Sequence, residues 1–392
     1  MQPRHAPSEA PMKRILLVVP EFYGAPGGVQ AFMHRLHEAL CYRPEDRDRV
    51  VDCVSLNDER DAQATHSFAV HDGYFSGWGR SKIKFIAELI GRGAKAPYDL
   101  ALFGHLGQSP VAPWLAKLGL VRRYAIVLHG FEAWERVWWP ERHAAAVADA
   151  VIATTKYTAR AFAAKNNIAE KKLRIVPLSI AATREQVLAR ALPAASRAGE
   201  FRILTVGRLD TLDYGKGVEF VIKAMSRLVK FPGNVKLVIV GDGADRPRLQ
   251  RLVEDLELQA SVSMPGRVDD VTLAELYRSS DLMVLSSRQE GFGIVFLEAM
   301  SHGKPCIGGN YGGIPEVIED GRTGFLVPFG DADAIASRVT ELATNPERWR
   351  SMSQAAFERV LARYCFDSFA RNVAAIVDEM LGCKRTGAAQ CR

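Results

Sequence analysis

"FRILTVG", residues 201–207, is the stretch on which the fold turns. An apolar run closed by glycine reads as a buried parallel strand feeding a βα turn, and it opens the second of two strand series in the chain. The first is "RILLVV" (14–19), followed by "LALF" (100–103), "AIVLH" (125–129), "AVIATT" (150–155) and "RIVPL" (174–178), each with a helical or loop segment behind it. From 201 the series starts afresh with "VKLVIVG" (235–241), "SVSMPG" (261–266), "DLMVLSS" (281–287), "PCIGG" (305–309) and "GFLVP" (324–328). Strands alternating with helices predict a doubly wound α/β fold. Two series predict two facing Rossmann-like domains with a deep cleft between them, onto which the carboxyl ends of both sheets open. Residues 12–180 form the first, 181–200 connect, and 201–363 form the second.

Composition agrees with an ordinary globular chain. At 392 residues it exceeds the size at which one core divides. Hydrophobic residues make up 48% and charged residues 24%, without an apolar run on the order of eighteen residues that would span a bilayer. No apolar segment follows Arg4, so a cytoplasmic location is expected, with peripheral contact at the cytoplasmic face of the membrane as an extension of it. The six cysteines (41, 53, 306, 365, 383 and 391) form no C-x-x-C pair, which points to reduced thiols and away from a zinc site. A net charge of +6 decides nothing alone.

Three loops carry candidate chemistry. In "PEFYGAPGGVQAF", Gly24, Gly27 and Gly28 precede a helix, where backbone amides can approach an anion or glycine simply permits a tight turn. In "GRLDTLDYGKG", Arg208 and Lys216 share one loop, and two cations beside glycines suit a diphosphate as well as they suit a solvated surface. In "SSRQEGFGIVFLEAM" (286–300), Glu290 stands just before a Gly-Phe-Gly turn and Glu298 sits inside an apolar helix. A buried carboxylate needs a partner. A vicinal diol of a ribose or sugar would serve, and so would a structural ion pair.

With these residues the sequence resembles the retaining GT-B glycosyltransferases of family 4 over nearly its whole length. The E-x7-E spacing is Glu290 to Glu298, followed by "GKPCIGGNYGGIPEVIEDGRTGFLVP". The resemblance implies that Glu298 holds the nucleotide ribose and Glu290 faces the donor sugar hydroxyls. It also implies that Gly27 and Gly28 and the amides around Gly291, Phe292, Gly293, Ile294 and Val295 approach the donor. Arg208 and Lys216 would neutralise the departing diphosphate. "PGRV" (265–268) resembles a base-binding turn, with Arg267 and Val268 at the base, and His129 in "VLHGFEAWE" resembles the family histidine that contacts the donor sugar. The helix at 364–381 is expected to cross back to the first, acceptor-binding domain.

The reaction so implied is transfer of a mannose- or glucose-type hexose from a GDP- or UDP-sugar to a glycan or polyprenyl-linked acceptor in cell-envelope polysaccharide synthesis. No cofactor, metal or nucleic acid is implied. Asp331-Ala332-Asp333 spells the D-x-D of metal-dependent transferases, but its place before an amphipathic helix reads as an N-cap. A nucleotide-sugar epimerase and a non-catalytic nucleotide-sugar-binding protein are the alternatives on the same fold. "GRSKIKFIAELIGRGAK" (79–95) reads as a helix with Ile83, Ile86 and Ile90 on one face among basic residues; it either packs that face in the core or lies on an anionic membrane. Trp134, Trp138 and Trp139 in "AWERVWWPERH" suit a core or a sugar- or lipid-facing wall.

Overall fold

The computed structural model describes residues 12–24, 27–42, 49–62, 73–190, 199–210, 215–230 and 234–382. Within them the chain divides into two compact units. The first takes the chain up to Ala153, Ala159–Val176 and the end from Ala370; the second takes Thr154–Thr158 and Pro177–Phe369.

The first unit runs β1 (Lys13–Val19), α1 (Gly28–Cys41), β2 (Arg49–Ser55), β3 (Phe75–Gly77), α2 (Lys82–Lys95) and β4 (Leu100–Phe103). It continues with α3 (Ala112–Lys117), β5 (Tyr124–Leu128), α4 (Trp139–Val147), β6 (Ala150–Ala153), α5 (Lys156–Asn166) and β7 (Leu173–Ile175). Every strand pair is parallel, in the order β3-β2-β1-β4-β5-β6-β7. One core joins the sheet to the inner faces of α2 through α5, with Phe85, Leu89, Leu115, Ala145 and Phe162 packed against Leu16, Phe103 and Ile126.

Two strands, β2 and β3, are absent from the reading of the sequence. In "RVVDCVS" an aspartate interrupts the apolar run, yet Asp52 is buried. Its carboxylate accepts from the Tyr98 hydroxyl at 2.6 Å and the Tyr74 amide at 3.2 Å, and pairs with Arg14 at 3.3 Å and Arg92 at 3.2 Å. Partners from four other segments make the burial tolerable, and none of them is visible in the strand itself.

The helix at 82–95 forms and packs on the core, but through a face other than that of the isoleucines. Phe85, Leu89 and Gly93 are the buried residues, and Leu120 lies so close over Gly93 that a Cβ there would come within 2.6 Å of it. Arg92, anchored on Asp52 and stacked 3.2 Å over the Tyr74 ring, belongs to the same inner face. Ile83, Ile86 and Ile90 point to solvent.

After α6 (Arg184–Leu188), the second unit runs β8 (Glu200–Val206), α7 (Val218–Leu228), β9 (Asn234–Val240), α8 (Arg246–Asp255), β10 (Val262–Gly266) and α9 (Asp270–Ser279). Then come β11 (Leu282–Leu285), α10 (Ile294–Met300), β12 (Cys306–Gly309), α11 (Ile314–Val317), β13 (Gly324–Val327), α12 (Ala332–Thr344) and α13 (Pro346–Arg363). Its six parallel strands are ordered β10-β9-β8-β11-β12-β13, the doubly wound order of a dinucleotide-type fold. The last helix, α14 (Phe366–Leu381), starts in the second unit and ends in the first. There Asp378 pairs with Arg49, Arg123 donates to the Met380 carbonyl, and Arg174 pairs with Glu379 at 2.5 Å. No helix among the described residues is long and apolar enough to cross a membrane.

Candidate active site

In each sheet the strand order reverses beside the first strand of the series, between β1 and β4 and between β8 and β11. Crevices outside the carboxyl ends of strands at such points are where doubly wound folds bind ligands. The candidate residues stand in the loops that leave those ends.

In the second unit, the loop after β8 is clasped to the loop after β11. Gly215 carbonyl accepts from the Arg288 amide at 2.7 Å and the Ser287 hydroxyl at 3.0 Å, and Gly217 carbonyl from the Ser286 hydroxyl at 3.2 Å. Gly217 has φ +72°, and a Cβ on it would lie 2.5 Å from the Ser286 carbonyl oxygen, so only glycine allows the approach. The clasp brings Lys216 Nζ onto Glu290 Oε1 as a half-buried ion pair. Glu290 is held in turn through its carbonyl, which accepts from the Gly313 amide at 3.0 Å. Arg208, at the end of β8, is exposed; residues 211–214 of its loop lie outside the described residues.

Gly293, at φ +87°, sets the turn from which α10 starts at Ile294, with Phe292 buried before it. Phe296, Leu297, Ala299 and Met300 are buried on α10 and leave Glu298 half-buried on its side. The Tyr277 hydroxyl of α9 donates to Glu298 Oε2 at 2.9 Å. Burial and the Glu298 charge push the Tyr277 phenol well above its ordinary pKa, so it stays a donor. The His302 ring stacks on Tyr277 at 5.9 Å, and burial, with the charges of Arg190, Lys304 and Arg278, lowers its pKa to about 4. At the end of β10, Gly266 (φ +85°) packs on the Arg246 guanidinium, which donates to the Met264 carbonyl at 2.9 Å; Arg267 is exposed and Val268 half-buried beyond it.

In the first unit, α1 and His129 come together. Gly27 is the N-cap of α1 and Gly28 its first residue, both exposed, and the Phe32 ring meets the His129 ring edge-on at 5.2 Å. His129 Nε2 donates to the Gly104 carbonyl at 2.7 Å, while its backbone amide donates to Glu132 Oε1 at 2.6 Å. Burial lowers its pKa despite the nearby Glu132 charge, which gives a neutral ring with the proton on Nε2. His105, at the end of β4, stacks on it at 5.9 Å.

Asp331 and Asp333 do not converge on a site. Asp331 accepts from the Ala334 amide at 2.8 Å as the cap of α12, and Asp333 pairs with Arg227 at 2.7 Å. Among the described residues, no three His, Cys, Asp or Glu side chains gather as metal ligands.

The profile of glycosyltransferase family 4 matches residues 26–184, and that of the glycosyl transferases group 1 matches residues 193–359. The chain belongs to the GT-B glycosyltransferases of family 4. N-acetyl-alpha-D-glucosaminyl L-malate synthase of Bacillus anthracis is 41% identical over 149 residues, 38% of this chain and 38% of that one. GDP-mannose-dependent alpha-(1-6)-phosphatidylinositol monomannoside mannosyltransferase of Mycobacterium tuberculosis is 32% identical over 177 residues, 43% of this chain and 46% of that one. These matches span less than half of either relative. Sucrose-phosphate synthase of Thermosynechococcus elongatus has the same fold with a TM-score of 0.76 at 23% identity, over 95% of this chain and 100% of that one. HepE of Anabaena, solved with UDP, gives 0.74 at 20% identity over 94% and 100%. At such identities the likeness is one of GT-B fold alone.

Reading the family 4 chain from its sequence misses Tyr277, Ser286, Ser287 and His105. Tyr277 lies in "ELYRSSD", which carries no signal of what its hydroxyl reaches. His105 had one, because "LALFGH" ends a strand beside the reversal in strand order as "VLHG" does one strand further on.

Proposed function

We propose that this family 4 chain is a retaining hexosyltransferase that moves a mannose- or glucose-type residue from a nucleotide-diphosphate sugar to a glycan or polyprenyl-linked acceptor. We place it in cell-envelope polysaccharide synthesis at the cytoplasmic face of the membrane. The carrying observation is the pairing of Lys216 with Glu290 at the carboxyl edge of the second sheet, with the Glu298–Tyr277 pair about one turn into the helix α10 that follows. A cation and an acid held together there suit a donor whose diphosphate takes the cation and whose sugar hydroxyls take the acid. Arg208 is the second cation for the diphosphate. Glu298, steadied by Tyr277, accepts from the ribose hydroxyls; Gly27, Gly28, Gly291, Phe292, Gly293, Ile294 and Val295 let backbone approach the donor; Arg267 and Val268 lie at the base. His129 contacts the donor sugar as a neutral ring.

In this reading residues 201–363 bind the donor, and 12–180 with 364–381 bind the acceptor. The anomeric carbon breaks its bond to the diphosphate, which leaves with the electron pair, and bonds to the acceptor oxygen on the same face. The acceptor proton passes to the departing phosphate. What the protein must stabilise is leaving-group charge, which preorganised cations do well. Support for a nucleotide-sugar donor comes from relatives whose names include GDP-mannose dependence and from HepE with UDP.

Lys216→Ala and Arg208→Ala should each lower kcat by roughly 10²-fold or more. Transfer should continue in excess EDTA, and product NMR should show the anomeric configuration retained. Normal turnover in Lys216→Ala overturns the assignment of the cation. Sugar conversion without acceptor would give the site to an epimerase, and donor binding without turnover to a binding protein.

A further inference from the structure

Among the described residues, the outward face of α2 is left open to solvent. Ile83 is 84% exposed, and Ile86 and Ile90 follow it at helical spacing, both exposed. Phe85, Leu89 and Arg92 fix the helix to the sheet, while Ile86 and Ile90, each 40% exposed, are only partly covered. The neighbouring α3 adds Trp114 at 65% and Leu118 at 62% exposure. Both helices lie on one side of the sheet, since right-handed crossovers in the same direction place them there.

Charge says what the face fits. Lys82, Lys84 and Lys95 flank the isoleucines and Lys117 stands by Trp114, all exposed. The acid on α2, Glu88, pairs with Arg92 at 2.8 Å, and α3 has no acid. Glu59, beside Gly79 where the chain approaches α2, is accompanied by Arg60 and Arg80. The same layer continues into α4, where Trp139 and His143 stack and, with Arg136, Arg142 and Lys165, wall a cavity of about 430 Å³. An apolar ridge edged by cations is the pattern of a helix lying in the headgroup boundary of an anionic bilayer.

We infer that the outer face of α2 and α3 docks on an anionic membrane, with Ile83, Ile86, Ile90, Trp114 and Leu118 entering the headgroup boundary and the flanking lysines on lipid phosphates. The inference deepens the membrane-face part of the proposed function by naming the surface, and it stands or falls separately from the chemistry.

Co-sedimentation of the full chain with vesicles tests it, using phosphatidylcholine alone and phosphatidylcholine mixed with phosphatidylglycerol. Binding is expected to the mixed vesicles and to weaken with added salt. The triple variant Ile83→Ser, Ile86→Ser, Ile90→Ser should lose on the order of tenfold or more in partition, and Lys82→Glu with Lys84→Glu a similar factor. Since these side chains lie outside the buried face of α2, thermal midpoints should shift only slightly, and the thermal shift given by GDP- or UDP-sugar should be unchanged. Equal partition of wild type and triple variant overturns the docking face. So does a wild type that ignores both vesicles; if it also self-associates and the triple variant does not, the face belongs to a second copy of the chain. Loss of the nucleotide-sugar shift in the wild type would instead sink the transferase reading and leave the vesicle result standing.

Discussion

Two glycines that look alike in the sequence have opposite physical reasons. Gly217 holds φ +72° against the Ser286 carbonyl, so Gly217→Ala combines left-handed strain with a backbone clash and should cost about 1–3 kcal/mol by denaturant unfolding. Gly28 has nothing within 4 Å of where a Cβ would stand. The fold gives no reason for glycine at that helix start, and Gly28→Ala should leave stability within about 0.5 kcal/mol. If donor approach is what requires it, kcat/KM should still fall. An unchanged kcat/KM would return Gly28 to the status of a permissive turn residue. Lys216 and Glu290 lie between these cases: each neutralises the other in the fold, so removing one strands a half-buried charge as well as the proposed contact to donor.

Helices α9 and α10 are tied at the site by a chain of three side chains, His302 on Tyr277 and Tyr277 on Glu298. Arg190 Nη1 lies 3.4 Å from His302 Nε2, which suits a ring whose Nε2 accepts. With its pKa lowered to about 4, His302 is neutral in the fold while the unfolded chain titrates near 6.5. Above about pH 6.5 neither state takes the proton and stability is unaffected. Between about 6.5 and 4 only the unfolded state takes it, so stability falls as the pH is lowered through that window. His302→Gln should flatten this part of the stability curve, measured by urea midpoints at successive pH values. An identical slope in the variant would mean that other groups, such as the buried His129, govern the acid limb.

The chain as a whole is two doubly wound units with one helix shared between them. Val373, Val377 and Met380 of α14 are buried in the part that belongs to the first unit, beside its ion pairs to Arg49 and Arg174. Truncation after Phe369 removes those contacts and leaves the residues proposed to bind the donor untouched. The first unit should then unfold at lower temperature, on the order of several kcal/mol weaker for three large apolar side chains, while GDP or UDP still shifts the transition of the second. A single unshifted transition would show that α14 adds little to the first unit.

The alternation of strand and helix, its restart at residue 201 and the acids at 290 and 298 are all local patterns. Strand burial with period and glycine punctuation decides them within a few residues, so the α/β class, most of the strands and the family 4 resemblance were legible in the sequence. What escaped it depended on partners far along the chain. β2 was hidden because Asp52 looks exposed until Arg14, Arg92 and Tyr98 are placed around it. Tyr277 gives no sign of reaching Glu298, 21 residues on, before α9 and α10 are packed. On α2 the sequence offered one face of isoleucines and another of Phe85, Leu89 and Arg92, both at helical spacing. Only the tertiary structure chose between them, because the buried Asp52 draws Arg92, and the face that carries it, against the sheet.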